Sequence, residues 1–105
     1  MAVQKVTDAE FANQITNHPK VVVKYYADWC GSCRLFAPKF NRLSGDARFT
    51  GITFLDVNAE TSPGARKAAD VTNLPYFAVF QNGQLLEAVA TSKEEALVDL
   101  LNKLN

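Results

Sequence analysis

The sequence predicts an α/β fold, a central mixed sheet of about five strands flanked by about four helices. Three observations carry that expectation. Runs rich in β-branched and aromatic residues, at 21–26, 52–57 and 76–80, are too continuously apolar for strands with one wet face. Segments with apolar residues three and four apart separate them, and alternating elements imply parallel pairing. Asn82-Gly83, between the last run and Leu85 to Val89, is a two-residue hairpin signal that adds antiparallel strands.

Each element has its own local reason. Gln4 to Val6 reads as a short edge strand. Thr7-Asp8-Ala9-Glu10 reads as a capping box, and Phe11 and Ile15 place one apolar face on the helix that follows. Asn17-His18-Pro19 ends that helix, because proline disfavours helix in the residue before it. Val21 to Tyr26 is the expected central strand. Phe36, Phe40 and Leu43 recur at helical spacing, with Pro38 inside the pattern expected to kink the helix, and Ser44-Gly45-Asp46 closing it. Ile52 to Val57 is a second buried strand. Ser62-Pro63 starts a short helix carrying Ala65, Ala68 and Ala69. Asn73-Leu74-Pro75 breaks the chain before the strand Tyr76 to Phe80. Ser92-Lys93-Glu94-Glu95 reads as another capping box, followed by a stripe of Leu97, Leu100, Leu101 and Leu104.

Bulk properties narrow the function classes. The 105 residues suit one domain, 1–105, large enough to bury a core without staples. Hydrophobic content of 48% and charged content of 21% are those of an ordinary globular protein. Eleven basic residues balance eleven acidic ones, so no strong field recruits nucleic acid or an anionic membrane. No apolar stretch is long enough to span a bilayer, and residues 1–20 lack the apolar core of a signal peptide. A cytoplasmic location and a monomer are the expectation.

The chemistry concentrates in Ala27-Asp28-Trp29-Cys30-Gly31-Ser32-Cys33-Arg34, which holds both cysteines and the only tryptophan. A helix starting there puts the first thiol at its N-terminus, where unpaired backbone N–H groups and the macrodipole favour a thiolate. A thiolate beside a second thiol that can displace it is the minimal equipment for disulfide exchange. Cys30, nearer the helix start and expected to be the more exposed, is the candidate nucleophile, with Cys33 resolving the mixed disulfide. Other readings of the pair are half a zinc site and an inert structural disulfide. Zinc needs about four ligands, and only a distant His18 could join the two thiols, so no metal is expected. Arg34 reads as a solvated helix charge.

Trp29-Cys30-Gly31-Ser32-Cys33, after a buried strand and before a helix, resembles the active-site motif of the thioredoxin family. The resemblance runs on through Pro38, at the family's usual distance from the second cysteine, Leu74-Pro75 at its cis-proline position, and the Asn82-Gly83 turn. It implies the thioredoxin fold and a thiol–disulfide oxidoreductase that reduces protein disulfides, without a bound cofactor. Electrons would come from a reductase such as thioredoxin reductase. It also implies a substrate groove made by Trp29, Gly31, Ser32, Leu74, Pro75 and Ala90. Without the resemblance, Trp29 reads equally as a core aromatic and Pro75 as an ordinary trans turn proline. Two further readings of the whole are an oxidase or isomerase of an oxidising compartment, and a thioredoxin-fold binding module with secondary redox activity.

Three departures from the family pattern stand out. Ser32 replaces the proline most typical between the two cysteines; a serine there can donate a hydrogen bond to a thiolate, and a potential less reducing than a typical thioredoxin is expected. Val89-Ala90-Thr91 carries no glycine where the family often has one facing the groove, which narrows it. Lys24 occupies the position of the family's buried acid, and Asp56 that of the lysine beside it. The two are expected to face each other, since burying one charge alone is so unfavourable; otherwise both would snorkel to opposite edges of the sheet. The family's acid relays a proton for the inner cysteine. An ammonium has no lone pair for that task, so Asp56 is expected to take it over, with Lys24 as its partner.

Overall fold

The computed structural model describes residues 3–104. Its elements are β1 (Gln4–Lys5), α1 (Asp8–Asn17), β2 (Lys20–Tyr26), α2 (Gly31–Ser44), β3 (Thr53–Asn58), α3 (Pro63–Ala68), β4 (Tyr76–Gln81), β5 (Gln84–Ala90) and α4 (Glu94–Leu101). The five strands form one sheet in the order β1-β3-β2-β4-β5. β1 and β2 pair parallel with β3, while β4 pairs antiparallel with both β2 and β5. β2 is therefore the central strand, and Val21 to Tyr25 are buried along its whole length.

The period of two along β2 divides the core. Val21, Val23 and Tyr25 face α1 and α3, where Phe11, Ala65 and Ala69 complete one cluster. Val22 faces the other way, into a cluster with Phe36, Phe40 and Leu43 of α2 and Leu97, Leu100 and Leu101 of α4. Phe40 lies between Phe54 and Phe77, with ring centroids 5.1 and 5.8 Å away. Helices cover both faces, which is why the strands lack an alternating polar pattern.

The capping box at Thr7 forms as the sequence predicts, with Ala9 N–H donating to Thr7 Oγ1 and Glu10 closing back on the Thr7 N–H. At the hairpin both Asn82 (φ 53°) and Gly83 (φ 84°) adopt the left-handed region, the signature of a type I′ turn. Pro38 sits inside α2 on its exposed side, and its missing N–H leaves the Arg34 carbonyl without its usual helical donor.

The second capping box does not form. α4 begins at Glu94 with Lys93 as its N-cap and no side-chain cap, because the Thr91 hydroxyl accepts the Lys93 N–H at 3.1 Å and fixes the chain one residue further on. Leu104 is buried as expected, although the helix has ended at Leu101. One short 3-10 turn, Ala47–Phe49, has no counterpart in the sequence-based expectation.

Candidate active site

Cys30 and Cys33 are joined as a disulfide at the start of α2, with their Cα atoms 5.3 Å apart. Cys30 is the N-cap of that helix, and its sulfur accepts the Cys33 backbone N–H at 3.2 Å. The first sulfur thus satisfies one of the orphan donors of the helix N-terminus, where the macrodipole favours negative charge. Ser32 adds a second contact, its hydroxyl oxygen 3.6 Å from the Cys30 sulfur; a disulfide sulfur carries no proton, so the hydroxyl donates. Cys30 is the more exposed of the pair by a narrow margin, 4% against 2%. Ala27, Tyr26 and Leu74 pack around both.

Trp29 is not a core residue. It is 67% exposed, and its indole N–H donates to Glu60 Oε2 at 2.7 Å. The Leu74–Pro75 bond is cis. Ser32, Leu74, Pro75 and Ala90 line one groove of about 220 Å³, together with Thr91, whose N–H donates to the Pro75 carbonyl at 3.2 Å. Four of the six expected groove residues therefore meet there, whereas Trp29 and Gly31 lie outside that concavity.

Lys24 and Asp56 sit opposite each other in the β2–β3 register, and Lys24 Nζ lies 3.4 Å from Asp56 Oδ1. They do not snorkel apart, because both side chains leave the sheet on the α2 side, in step with Val22 and Phe54. The Lys24 side chain is 4% exposed and that of Asp56 13%. The ammonium also stands over the Tyr26 and Phe40 rings, 5.6 and 5.5 Å from their centroids. Asp56 Oδ1 is buried, and its contact with Lys24 is an ion pair without the geometry of a hydrogen bond. Burial raises the Asp56 carboxyl above the ordinary carboxylate range, and the attraction of Lys24 only partly offsets it.

A cavity of about 210 Å³ connects this pair to the disulfide, bounded by Lys24, Asp56 and Cys33. Lys5, Asp28 and Arg34 complete its charged rim, and Arg34 donates to the Asp28 carbonyl. Arg34 is thus a brace of the loop before Cys30 as well as an exposed helix charge. Glu60, Lys5 and Thr91 were not legible as site residues, since each reaches the site from a different strand or loop with no local pattern. Among the described residues no group of three or more His, Cys, Asp or Glu is arranged to hold a metal ion.

The sequence profile of the thioredoxin family matches residues 2–103. The chain belongs to the thioredoxin family. Thioredoxin of Coprinus comatus is 28% identical over 102 residues, covering 96% of each chain. Thioredoxin of Mycobacterium tuberculosis is 31% identical over 107 residues, covering 96% of this chain and 91% of that one. Among solved structures, Plasmodium falciparum thioredoxin superposes with a TM-score of 0.89 at 29% identity, over 98% of this chain and all of the other. The five-stranded sheet with its four helices is accordingly the thioredoxin fold, and the protein is a thiol–disulfide oxidoreductase of that family. Thioredoxins act on protein disulfides. Among the described residues no helix is long and apolar enough to cross a membrane.

Proposed function

We propose that this thioredoxin reduces protein disulfides with Cys30 as nucleophile and Cys33 as resolving thiol. The observation that carries the reading is the cap: a thiolate at Cys30 inherits the Cys33 N–H and the positive end of α2. The Cys30 thiolate attacks one sulfur of the substrate disulfide, and the other substrate sulfur leaves and takes up a proton. Cys33 then gives its proton to Asp56 across the shared cavity and attacks the Cys30 sulfur; the second substrate sulfur leaves as a thiolate and takes up a proton from solvent, to which Asp56 returns its own. The substrate gains two electrons and two protons, and the enzyme is left as the Cys30–Cys33 disulfide.

Exposed Trp29, next to Cys30 in the chain, and the groove lined by Ser32, Leu74, Pro75 and Ala90 receive the substrate chain, together with Gly31. A reductase such as thioredoxin reductase returns the pair to the dithiol. The protein works as a cytoplasmic monomer without a bound cofactor.

Cys33→Ser is expected to accumulate a mixed disulfide on Cys30, and Cys30→Ser to abolish turnover, both read by mass spectrometry and an insulin-reduction assay. An adduct on Cys33 in the Cys30→Ser protein, with turnover retained, would reverse the assignment. Asp56→Asn should slow resolution about tenfold while leaving the first attack nearly unchanged in stopped-flow kinetics.

One observation favours a second reading, an oxidase or isomerase. The Ser32 hydroxyl beside the Cys30 sulfur stabilises a thiolate there, and stabilising the reduced form makes the couple more oxidising. Equilibration with glutathione separates the two: a strongly reducing potential keeps the reductase, and an oxidising one replaces it.

A further inference from the structure

The sheet has two edges of different character. β1, at one edge, is two residues long and ends in Lys5. β5, at the other, runs for seven residues, Gln84–Ala90, with neither lysine nor proline in it. An edge strand leaves alternate backbone N–H and C=O groups without a strand partner, and natural edges are commonly blunted by brevity, lysine or proline. Only Glu87 brings charge to β5, and Lys103 Nζ lies 3.4 Å from its carboxylate. Leu85 and Leu86 are 44% and 47% exposed, two of the four exposed large apolar side chains among the described residues.

Two features tie this edge to the disulfide. Ala90, the last residue of β5, is also a wall of the groove that holds Ser32, Leu74 and Pro75. The next residue, Thr91, donates its N–H to the Pro75 carbonyl, so the end of the strand is fastened to the groove. In the register with β4, Leu85 faces Phe80 and Glu87 faces Val79, which leaves Leu86 as the extra residue of a bulge. The regular strand therefore runs from Glu87 to Ala90. The two leucines lie beyond it, with Leu86 roughly 13 Å from the groove wall at about 3.3 Å per residue.

We propose that β5 is a second substrate subsite: an extended polypeptide leaving the groove adds as a further strand along Glu87 to Ala90 and lays an apolar side chain on Leu85 and Leu86. The inference rests on the exchange chemistry of Cys30 and Cys33 proposed above and names the class of substrate that chemistry serves best. That class is a disulfide in an extended segment, with about four or five residues beside the cysteine free to pair and an apolar residue at their end. Backbone bonds to the open edge are indifferent to sequence, whereas the leucines favour an apolar residue at one distance. The occupant is substrate rather than a second copy of the chain, because so short a regular edge pairs weakly between free molecules. A chain already held at the disulfide meets the edge intramolecularly, where even weak pairing counts.

The test compares the symmetric disulfides of two peptides, each with one cysteine. One peptide carries about six residues of alternating valine and threonine on either side of the cysteine, enough to reach Leu86, and the other only one or so. Wild-type protein should reduce the long peptide with a KM about tenfold lower than that of the short one. In Leu86→Lys, an exposed position that the fold tolerates, the two KM values should converge, since a charge on the edge opposes strand addition. Independently of that variant, hydrogen exchange is read on Cys33→Ser protein carrying each peptide as a mixed disulfide on Cys30. The outward amides of Glu87 to Ala90 should be about tenfold better protected in the long-peptide adduct. Equal KM values in the wild type, a difference that survives in Leu86→Lys, or equal protection in the two adducts overturns the subsite. Protection of the same amides that rises with protein concentration, without peptide, would give the edge to a second copy and likewise overturn it. Absence of any adduct on Cys30 would instead overturn the exchange reading itself, and the proposal with it.

Discussion

At the scale of single residues, Lys24 and Asp56 carry the largest energetic stake. Their places in the family pattern, together with the cost of burying either charge alone, led to the expectation that they meet. Removing one should be costly: Lys24→Met leaves the Asp56 carboxylate without its partner and is expected to lose about 3 kcal/mol in urea denaturation at neutral pH. Lys24→Met with Asp56→Leu removes both charges at similar volume and should recover most of that loss. Asp56 also leaves a signature in pH. Its folded carboxyl lies above its unfolded value of about 3.9, so the folded state binds the proton more tightly. The stability this group contributes is full below about pH 4 and is lost as pH rises through its folded value. Relative to Asp56→Asn, the wild-type unfolding midpoint should therefore fall as pH increases from about 4 towards neutrality. A midpoint difference that grows with pH would contradict the raised carboxyl. Asp46 and Glu94, lowered by hydrogen bonds from Arg48 and Arg42, change in the opposite sense, which is why the comparison with the variant is needed.

At the scale of elements, most boundaries were legible because they depend on neighbours in sequence. Thr7 and Glu10, Asn82 and Gly83, and the stripe of Phe36, Phe40 and Leu43 each act within a turn or two of themselves. The start of α4 was misplaced for a related reason. Ser92 and Thr91 are both hydroxyl residues at the right distance from acids, and only the observed bond to the Lys93 N–H decides between them. The cap of α3 could not be read at all. Ser62 precedes that helix but makes no side-chain cap, and its place is taken by Asp8 from the first turn of α1. Both Asp8 oxygens accept from α3, Oδ2 from Gly64 N–H and Oδ1 from Ala65 N–H, each at 2.9 Å. One carboxylate thus stitches two helices whose sequences lie more than fifty residues apart. Asp8→Ala is expected to cost about 1–2 kcal/mol in chemical denaturation, and Asp8→Asn less, since the amide oxygen keeps one acceptor. If Asp8→Ala leaves stability unchanged, the bonds to α3 are replaced by water at no cost.

At the scale of the whole molecule, the sheet brings the site together and the net charge leaves it without a long-range field. β2 carries Lys24 and delivers the chain to Cys30, β3 supplies Asp56, and the loop before β4 supplies Pro75, so a single central strand sets the distances among all of them. Two electrostatic regimes follow from this layout. On the proposed reading, substrate approaches past exposed groups, chiefly Trp29 and its partner Glu60, and the chain has no formal net charge to steer a partner over distance. The rate of reduction of a neutral peptide disulfide should therefore change less than about twofold as the Debye length shrinks from about 10 to 3 Å between 0.1 and 1 M salt. The Lys24–Asp56 pair is shielded, and the stability difference between wild type and Lys24→Met should survive the same salt. A rate that falls steeply with salt would mean that local charges around Trp29 steer substrate despite the neutral total. Loss of that difference at high salt would mean that water and ions reach Lys24 through the cavity. Salt thus separates the exposed surface proposed to meet substrate from the buried charge pair beneath it.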